Sequence, residues 1–288
     1  MLKKRITATL VVKDGIVVQS IGFKRYLPIG KPAIAIEYLN SWGIDEIIIL
    51  DISATAKGRI PDYEMIRNSS FKCYVPLTVG GGISDIKHIK ELMQCGSDKI
   101  SLNHTAIIQS DLIKHAAEIF GNQCVVVSID AVKTSDGYRV YDYLTQKALS
   151  ITPAEMAKKS EELGAGEILI NSVERDGSYL GYDKLLINSV CNEISIPVIV
   201  CGGAKNAKDM IDVLQNTSAS AASASNFFHF TEHSVNITKA KIFSKINVRL
   251  ETHADYRDCA FDENCRLVKK DDKVLEDMLY MRIEKEII

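Results

Sequence analysis

Short β-branched runs alternate with amphipathic stretches along most of this 288-residue chain, and this alternation constrains its fold more than any other feature. Near-continuous apolar runs separated by helical spacing are typical of parallel βαβ units, whose strands are buried on both faces. Eight such units in about 250 residues predict an α/β protein of the (β/α)8 TIM-barrel class. The predicted strands lie at 5–12, 46–52, 74–80, 98–102, 124–130, 167–173, 197–202 and 218–224. Helices are predicted between them, at 31–42, 85–94, 110–120, 153–163 and 207–216.

An internal repeat supports the barrel. Residues 43–66 resemble residues 164–187, and residues 77–85 resemble residues 198–206. We therefore predict one barrel over 1–253, built from two half-barrels at about 1–120 and 121–253. A hairpin with an Asp136-Gly137 turn is expected within 131–148. Residues 254–288 form a short C-terminal extension, predicted to be helical from the apolar spacing of 271–288.

Composition excludes several classes of protein. The formal net charge of −2 gives no basic footprint for nucleic acid. No apolar run reaches the roughly 18 residues of a membrane span, and the N-terminus has no signal-peptide pattern. The seven cysteines are odd in number and form no CxxC pair, which favours reduced thiols and a cytoplasmic location. No metal site and no cofactor are predicted.

Two glycine loops follow equivalent strands of the two halves. Active sites of such barrels lie at the carboxyl ends of the strands, and glycine lets a backbone approach an anion closely. The alternative is that these glycines only allow tight turns, but their duplication at matched positions favours two phosphate sites. The predicted phosphate-binding residues are Gly81, Gly82, Ser101, Asn103, Asp176, Gly177, Gly202, Gly203, Ala224 and Ser225.

The ends of strands 1 and 5 differ in a way that bears on chemistry. Asp130 ends strand 5 and is predicted to enter the mouth of the barrel, where a carboxylate can act as a general base. The repeat aligns it with Val11, which cannot transfer a proton. Asp51 and Asp176 are also predicted near the mouth, as orienting groups or helix caps.

Four charged residues begin strands 1, 2, 4 and 6 and should lie together at the opposite end, the barrel floor. They are Arg5, Glu46, Lys99 and Glu167. Two cations and two anions at this position predict a closed ring. Position alone favours a structural role, because the floor of a barrel usually concerns stability.

The chain resembles the HisF family, the cyclase subunit of imidazole glycerol phosphate synthase. The resemblance covers about residues 1–253 and includes TVGGGI, DKISLN, VVVSIDA, GAGEIL, RDGSYLGYD, CGGA and FFHF in order. It implies a substrate with a phosphate at each end and ammonia that enters through the barrel from a HisH-like glutaminase docked on the floor. It also implies ring closure by two aspartates, which end strands 1 and 5.

Carried over position by position, the resemblance assigns acid–base chemistry to Asp130 and phosphate binding to Gly82, Asn103, Asp176, Gly177, Gly203, Ala224 and Ser225. It makes the floor ring an ammonia gate and places Asp98 on the glutaminase-docking face. The departures lie at the mouth: the strand 1 aspartate is Val11, a loop 1 lysine is Gln19, and two threonines are His104 and Asn171.

These features give three hypotheses. The first is a subunit of a paralogous branch associated with surface-polysaccharide clusters, which relays ammonia to amidation of a phosphorylated or nucleotide-linked sugar by a separate amidotransferase. The alternative is the ordinary cyclase of histidine biosynthesis, with Val11 tolerated. The third is a barrel that binds and activates the glutaminase without catalysis.

Overall fold

The computed structural model describes residues 3–230, 233–250, 252 and 254–278. Its strands, in chain order, are β1 Arg5–Lys13, β2 Ile16–Ile21, β3 Arg25–Gly30, β4 Glu46–Asp51, β5 Leu77–Gly80, β6 Lys99–Leu102, β7 Val125–Thr134, β8 Gly137–Asp142, β9 Lys147–Ala148, β10 Glu167–Ser172, β11 Val198–Cys201 and β12 Ala221–Ala224. Eight of them pair in parallel in the order β1-β4-β5-β6-β7-β10-β11-β12. β12 also pairs with β1, from Arg5 opposite Ala221. The predicted (β/α)8 barrel is therefore confirmed.

The helices follow the strands and cover the outside of the barrel. They are α1 Pro32–Ser41, α2 Tyr63–Ser70, α3 Ile86–Gln94, α4 His104–Ile108, α5 Asp111–Phe120, α6 Pro153–Glu162, α7 Lys184–Cys191, α8 Ala207–Asn216, α9 Asn226–His229, α10 Ser234–Phe243 and α11 Asp272–Met278. Side-chain caps explain several starts. Asp62 and Asp183 cap the equivalent helices α2 and α7, and Thr152 forms a capping box with Glu155 at α6.

The two halves correspond in register as well as in sequence. Val11 pairs with Leu50 between β1 and β4, and Asp130 pairs with Asn171 between β7 and β10. Val11 and Asp130 thus occupy equivalent strand ends.

Small residues build the last strand of the barrel. All four residues of β12 are buried, although alanine and serine are poor strand formers. Because β12 lies between β11 and β1, its backbone completes both ladders, and its small side chains fit the barrel wall. A separate apolar cluster inside the barrel contains Ile48, Val126, Leu169, Ile199 and Ala221.

Two antiparallel hairpins extend the barrel at its carboxyl-terminal end. β7 continues into β8 through a two-residue turn of Ser135 and Asp136, one residue earlier than predicted, because Thr134 pairs with Gly137. The β2–β3 hairpin after β1 was not predicted. Its strands mix apolar with polar residues and contain Pro28, so they lack the near-continuous apolar character of the barrel strands.

The C-terminal extension packs against the barrel through a few polar and cation–π contacts. Residues 254–271 form turns and a single bridge between Phe261 and Leu267, and α11 covers 272–278 of the predicted helical run. Lys241 lies over the Phe261 ring, 5.1 Å from its centroid. Residues 279–288 of that run lie outside the described residues.

No helix in the described part of the chain has the length and apolar character needed to cross a membrane. All seven cysteines are free thiols.

Candidate active site and barrel floor

A cavity of about 430 Å³ lies at the carboxyl ends of the barrel strands. Side chains from both halves line it, including Val11 from β1 and Asp130 from β7. Six of the predicted phosphate-binding residues are in its lining: Gly81, Gly82, Ser101, Asn103, Asp176 and Ser225. Gly177, Gly202, Gly203 and Ala224 are near the same strand ends but are not in that lining.

Asp130 is a buried carboxyl group of the cavity. Asn103 Nδ2 donates to its Oδ2 at 3.0 Å, and Asn171 Nδ2 donates to its Oδ1 at 3.4 Å. Burial raises the pKa of Asp130 to about 7, although the two amide hydrogen bonds oppose that shift. A carboxyl group with this pKa is a competent acid or base near neutral pH.

The position equivalent to Asp130 contributes no acid or base, because Val11 lines the same cavity with an apolar side chain. The carboxylate of the nearby Asp51 is hydrogen-bonded to groups of the loop that follows it. Its Oδ1 accepts from the Ser53 hydroxyl at 2.6 Å and from the Ser53 amide at 2.9 Å. Asp51 therefore orients the loop after β4, as predicted.

Close backbone packing requires at least two of the predicted glycines. Gly81 has φ of +108°, and a Cβ there would lie 2.3 Å from the Asp51 carbonyl oxygen. Gly203 has φ of +100°, and its Cβ would lie 2.2 Å from the Gly181 carbonyl oxygen. The tight-turn explanation thus accounts for these two glycines without a ligand.

Unpartnered hydroxyls give a more direct indication of a ligand. Ser101 Oγ and Ser225 Oγ are buried, and neither has a hydrogen-bond partner among the residues that the structure describes. Both residues line the cavity, one from each half of the barrel. Buried polar atoms are rarely left unsatisfied, so two such hydroxyls in one cavity suit a ligand with acceptor oxygens at both ends, such as a bisphosphate.

Asp176 holds the unpredicted β2–β3 hairpin against the mouth. Its Oδ2 accepts from the Ser20 hydroxyl at 2.6 Å and from the Phe23 amide at 3.3 Å. Burial raises the pKa of Asp176, while these hydrogen bonds oppose the shift. The structure thus places this side chain as a hairpin anchor, consistent with the orienting role considered for it.

Several cavity residues come from the hairpins and were missed by sequence reasoning. Phe23, Lys24 and Tyr26 enter from the β2–β3 region, and Tyr141 and Tyr143 enter from the segment after β7. Burial raises the pKa of Tyr26 to about 12, so this hydroxyl remains neutral and can donate. Aromatic residues clustered in 138–143 were the available signal, but nothing in the sequence placed them over the mouth.

The predicted ring at the floor forms completely. Arg5 Nη1 is 2.5 Å from Glu46 Oε2, and its Nη2 contacts Glu167. Lys99 Nζ is 2.9 Å from Glu46 and 2.9 Å from Glu167. Burial alone would lower the pKa of Lys99, but the two carboxylates outweigh it and raise that pKa. The ring therefore alternates two basic side chains with two carboxyl side chains.

Hydroxyl groups lie both at this ring and in the barrel interior above it. Thr78 Oγ1 donates to Glu46 at 3.0 Å. Thr9 Oγ1 and Ser223 Oγ lie 2.7 Å apart, and Thr9 lines the cavity. The barrel interior therefore offers polar groups between floor and mouth, beside its apolar cluster.

Asp98 is exposed at the amino-terminal side of β6, next to Lys99. Its Oδ2 accepts from the Leu77 amide at 2.8 Å, which fixes the carboxylate on the floor side of the barrel. Within the described residues, no group of three or more His, Cys, Asp or Glu side chains could hold a metal ion.

The fold and this cavity define a (β/α)8 barrel with a polar ligand site at its mouth and a charged ring at its floor. The chain belongs to the family of histidine biosynthesis proteins, whose pattern matches residues 5–234.

Relatives cover nearly the whole barrel. The chain is 42% identical to a putative imidazole glycerol phosphate synthase subunit hisF2 of Vibrio vulnificus, over 91% of this chain and 97% of the relative. It is 43% identical to the imidazole glycerol phosphate synthase subunit HisF of Clostridium botulinum, over 83% of this chain and 95% of the relative. The imidazole glycerol phosphate synthase subunit HisF of Bacillus cereus is 40% identical to the chain, over 87% of this chain and 100% of the relative. The resemblance to HisF is thereby confirmed, whereas membership of the polysaccharide-associated branch is not shown.

Proposed function

We propose that this chain is a HisF-type synthase subunit that takes ammonia from a HisH-like glutaminase at the floor and uses it on a phosphorylated ligand at the mouth. The complete ring of Arg5, Glu46, Lys99 and Glu167 is the observation that carries the proposal. A barrel needs no such ring to bind a phosphate. A charged ring across the floor, below an interior that contains both hydroxyls and an apolar cluster, suits controlled passage of a small molecule such as ammonia.

The reaction that uses the ammonia has two candidates. The names of the relatives support the cyclase of histidine biosynthesis more directly than they support sugar amidation. In that reaction the subunit forms imidazole glycerol phosphate, and Asp130 supplies its acid–base chemistry. The buried hydroxyls of Ser101 and Ser225 support a substrate with a phosphate at each end.

Val11 is the observation that keeps the second candidate, amidation of a phosphorylated or nucleotide-linked sugar. Loss of one positioned acid or base costs about 10²–10⁴ in rate. A subunit of a dedicated pathway that lacks one is better suited to relaying ammonia to a separate amidotransferase. A barrel that only activates its glutaminase would also tolerate Val11, but it would have no use for the cavity hydroxyls.

One assay separates these candidates. The unmodified chain and a Val11→Asp variant are supplied with free ammonium, and formation of imidazole glycerol phosphate is measured. Turnover by the unmodified chain within about tenfold of typical kcat values near 10 s⁻¹ identifies the cyclase. Absence of turnover, with partial activity in Val11→Asp, supports amidation. Absence from both proteins, together with no phosphate binding at the mouth, would favour the silent scaffold.

A further inference from the structure

A histidine and a carboxylate from distant segments meet beside the cavity. His104 begins α4, directly after β6, and Asp142 ends β8. His104 Nδ1 lies 3.3 Å from Asp142 Oδ1. Asp142 is 5% exposed, and its carboxylate also accepts from the Leu144 amide at 3.1 Å and the Thr145 hydroxyl at 2.9 Å. The loop that follows β8 therefore fixes the carboxylate, and the carboxylate in turn orients the imidazole.

This pairing determines which ring nitrogen remains available. A carboxylate that accepts from Nδ1–H stabilises the tautomer whose Nε2 carries the lone pair. His104 lines the cavity, and its side chain is 18% exposed. Within the described part of the chain, Nε2 of His104 has no hydrogen-bond partner. The basic nitrogen is thus the one left for a ligand.

We propose that His104 is a second acid–base group of the mouth, with Asp142 as its positioning residue. The proposal rests on the proposed function, in which ammonia reacts with a ligand bound in this cavity. In this role His104 supplies the proton acceptor that Val11 does not provide. His104 reaches the site from the end of β6 instead of β1, and it lines the same cavity as Asp130.

The division of roles follows from the chemistry of ammonia addition. The nitrogen lone pair forms a C–N bond to an electrophilic carbonyl carbon, and the C=O π electrons move to oxygen. His104 Nε2 accepts a proton from the new ammonium nitrogen, and the carboxyl of Asp130 gives a proton to the oxygen. The product is a neutral carbinolamine. One proton then returns from the imidazolium to the Asp130 carboxylate through solvent, which restores both groups.

Other charged and titratable groups share the cavity and set the background of any measurement. The acidic and basic ones are Asp51, Asp130, Asp176 and Lys24. Three tyrosines also line it, namely Tyr26, Tyr141 and Tyr143, and burial raises the pKa of each. The opposite role for His104 is that of a cation that holds a phosphate, and the experiment must separate the two roles.

The first arm uses steady-state kinetics of the full chain with ammonium and the substrate of imidazole glycerol phosphate formation. His104→Asn keeps an amide donor for Asp142 but removes the basic nitrogen. We expect kcat to fall by about 10²–10⁴ with KM nearly unchanged, as for loss of a general base. Asp142→Asn should lower kcat less and leave KM unchanged. Unchanged kcat in His104→Asn, or an effect on KM alone, overturns the inference.

The second arm needs no turnover. Histidine-selective ¹⁵N NMR of the full chain should show His104 with Nδ1 protonated and Nε2 unprotonated at pH 8, and this tautomer should be depleted in Asp142→Asn. Inorganic phosphate should bind unmodified chain and His104→Asn equally. An Nε2–H tautomer, or several-fold weaker phosphate binding in His104→Asn, overturns the inference. If neither the unmodified chain nor any variant forms imidazole glycerol phosphate, that reaction is not the function of the chain. The second arm alone then decides the role of His104.

Discussion

At the scale of single residues, burial determines the protonation of the mouth more than any charge partner does. Asp130 is 8% exposed, and its two amide donors favour the ionised form. Burial opposes them and raises the pKa of Asp130 to about 7. Because burial outweighs the two hydrogen bonds, ionisation of Asp130 lowers the stability of the folded state. Such a cost is typical of functional sites.

Because the ionised Asp130 carboxylate destabilises the folded state, replacing it with a neutral side chain should stabilise the protein. The pKa of Asp130 in the folded state lies well above the ordinary value of an aspartate, so the folded state binds the proton more tightly than the unfolded state. Stability therefore falls as pH rises from about 4 to 7, and the full cost, up to roughly 4 kcal/mol at 1.4 kcal/mol per pKa unit, is present above pH 7. We expect Asp130→Asn to raise the melting temperature at pH 8 and to change it little at pH 4.

Thermal unfolding at both pH values checks this prediction. Asn171 can flip its amide and offer its unpartnered Oδ1 to the new side chain. Asp212→Asn serves as a matched control, because Asp212 is half exposed and paired with Lys184 at 2.7 Å on the surface. Equal shifts at pH 4 and pH 8 would contradict a buried carboxylate whose pKa is near 7.

Sequence reasoning found Asp130 and the four ring residues because strand ends can be located from hydrophobic periodicity. It did not find the His104–Asp142 pair. The two residues are 38 positions apart, and they meet because the β7–β8 hairpin brings the end of β8 to the start of α4. A contact that depends on the path of a hairpin leaves no periodic signal.

At the scale of elements, the turn of the β2–β3 hairpin is held against the mouth by hydrogen bonds to Asp176 and Asn226. Its tip is fastened by the Asp176 carboxylate, through the Ser20 hydroxyl and the Phe23 amide. Phe23 also has a left-handed φ of +58° and packs edge-on against Tyr141, with ring centroids 6.4 Å apart. The hairpin therefore depends on a side-chain anchor at its turn.

Removal of the Ser20 hydroxyl should loosen this turn. We expect Ser20→Ala to speed tryptic cleavage after Lys24 and Arg25, which are exposed, while it lowers global stability by only about 1 kcal/mol. Ser41→Ala is the matched control, because Ser41 Oγ donates to the Glu37 carbonyl at 2.8 Å on α1. Cleavage at 24–25 that is equally fast in both variants would show that Asp176 does not anchor the hairpin.

The barrel strands and five helices, α1, α3, α5, α6 and α8, were predictable, and the hairpins only in part. β12 formed despite its Ser/Ala composition because the neighbouring strands β11 and β1 supply its backbone partners. β2 and β3 were missed because Gln19, Ser20 and Pro28 interrupt their apolar character. Tertiary pairing overrides weak local preference in the first case, and local polarity hides a real hairpin in the second.

At the scale of the whole molecule, one barrel joins a charged floor to a polar mouth. Lys99 contacts two carboxylates that are almost fully buried, with side-chain exposures of 1% for Glu46 and 6% for Glu167. The four side chains thus form a continuous ring of ion pairs across the floor, and the proposed function requires ammonia to pass this ring.

Removal of one cation from the ring should therefore lower the free energy of unfolding more than removal of one cation from a surface ion pair. Lys99→Met leaves Glu46 and Glu167 with Arg5 alone, and we expect the free energy of unfolding to fall by about 3 kcal/mol. Lys184→Met removes an exposed ion pair with Asp212 and should cost less than about 1 kcal/mol. Urea unfolding of both variants measures the difference. Similar midpoints for the two would mean that the ring contributes no more than a surface pair.

The most direct test of the account measures glutamine hydrolysis by a HisH-type glutaminase from the same organism, alone and with this chain added. Docking on the floor predicts that hydrolysis is stimulated and saturates at one chain per glutaminase. Asp98→Lys, which reverses an exposed charge beside the ring, should abolish the stimulation, whereas Asp212→Lys on the side of the barrel should not. A glutaminase whose rate is unchanged by the chain at any concentration would contradict the proposal that ammonia enters this barrel from a docked partner.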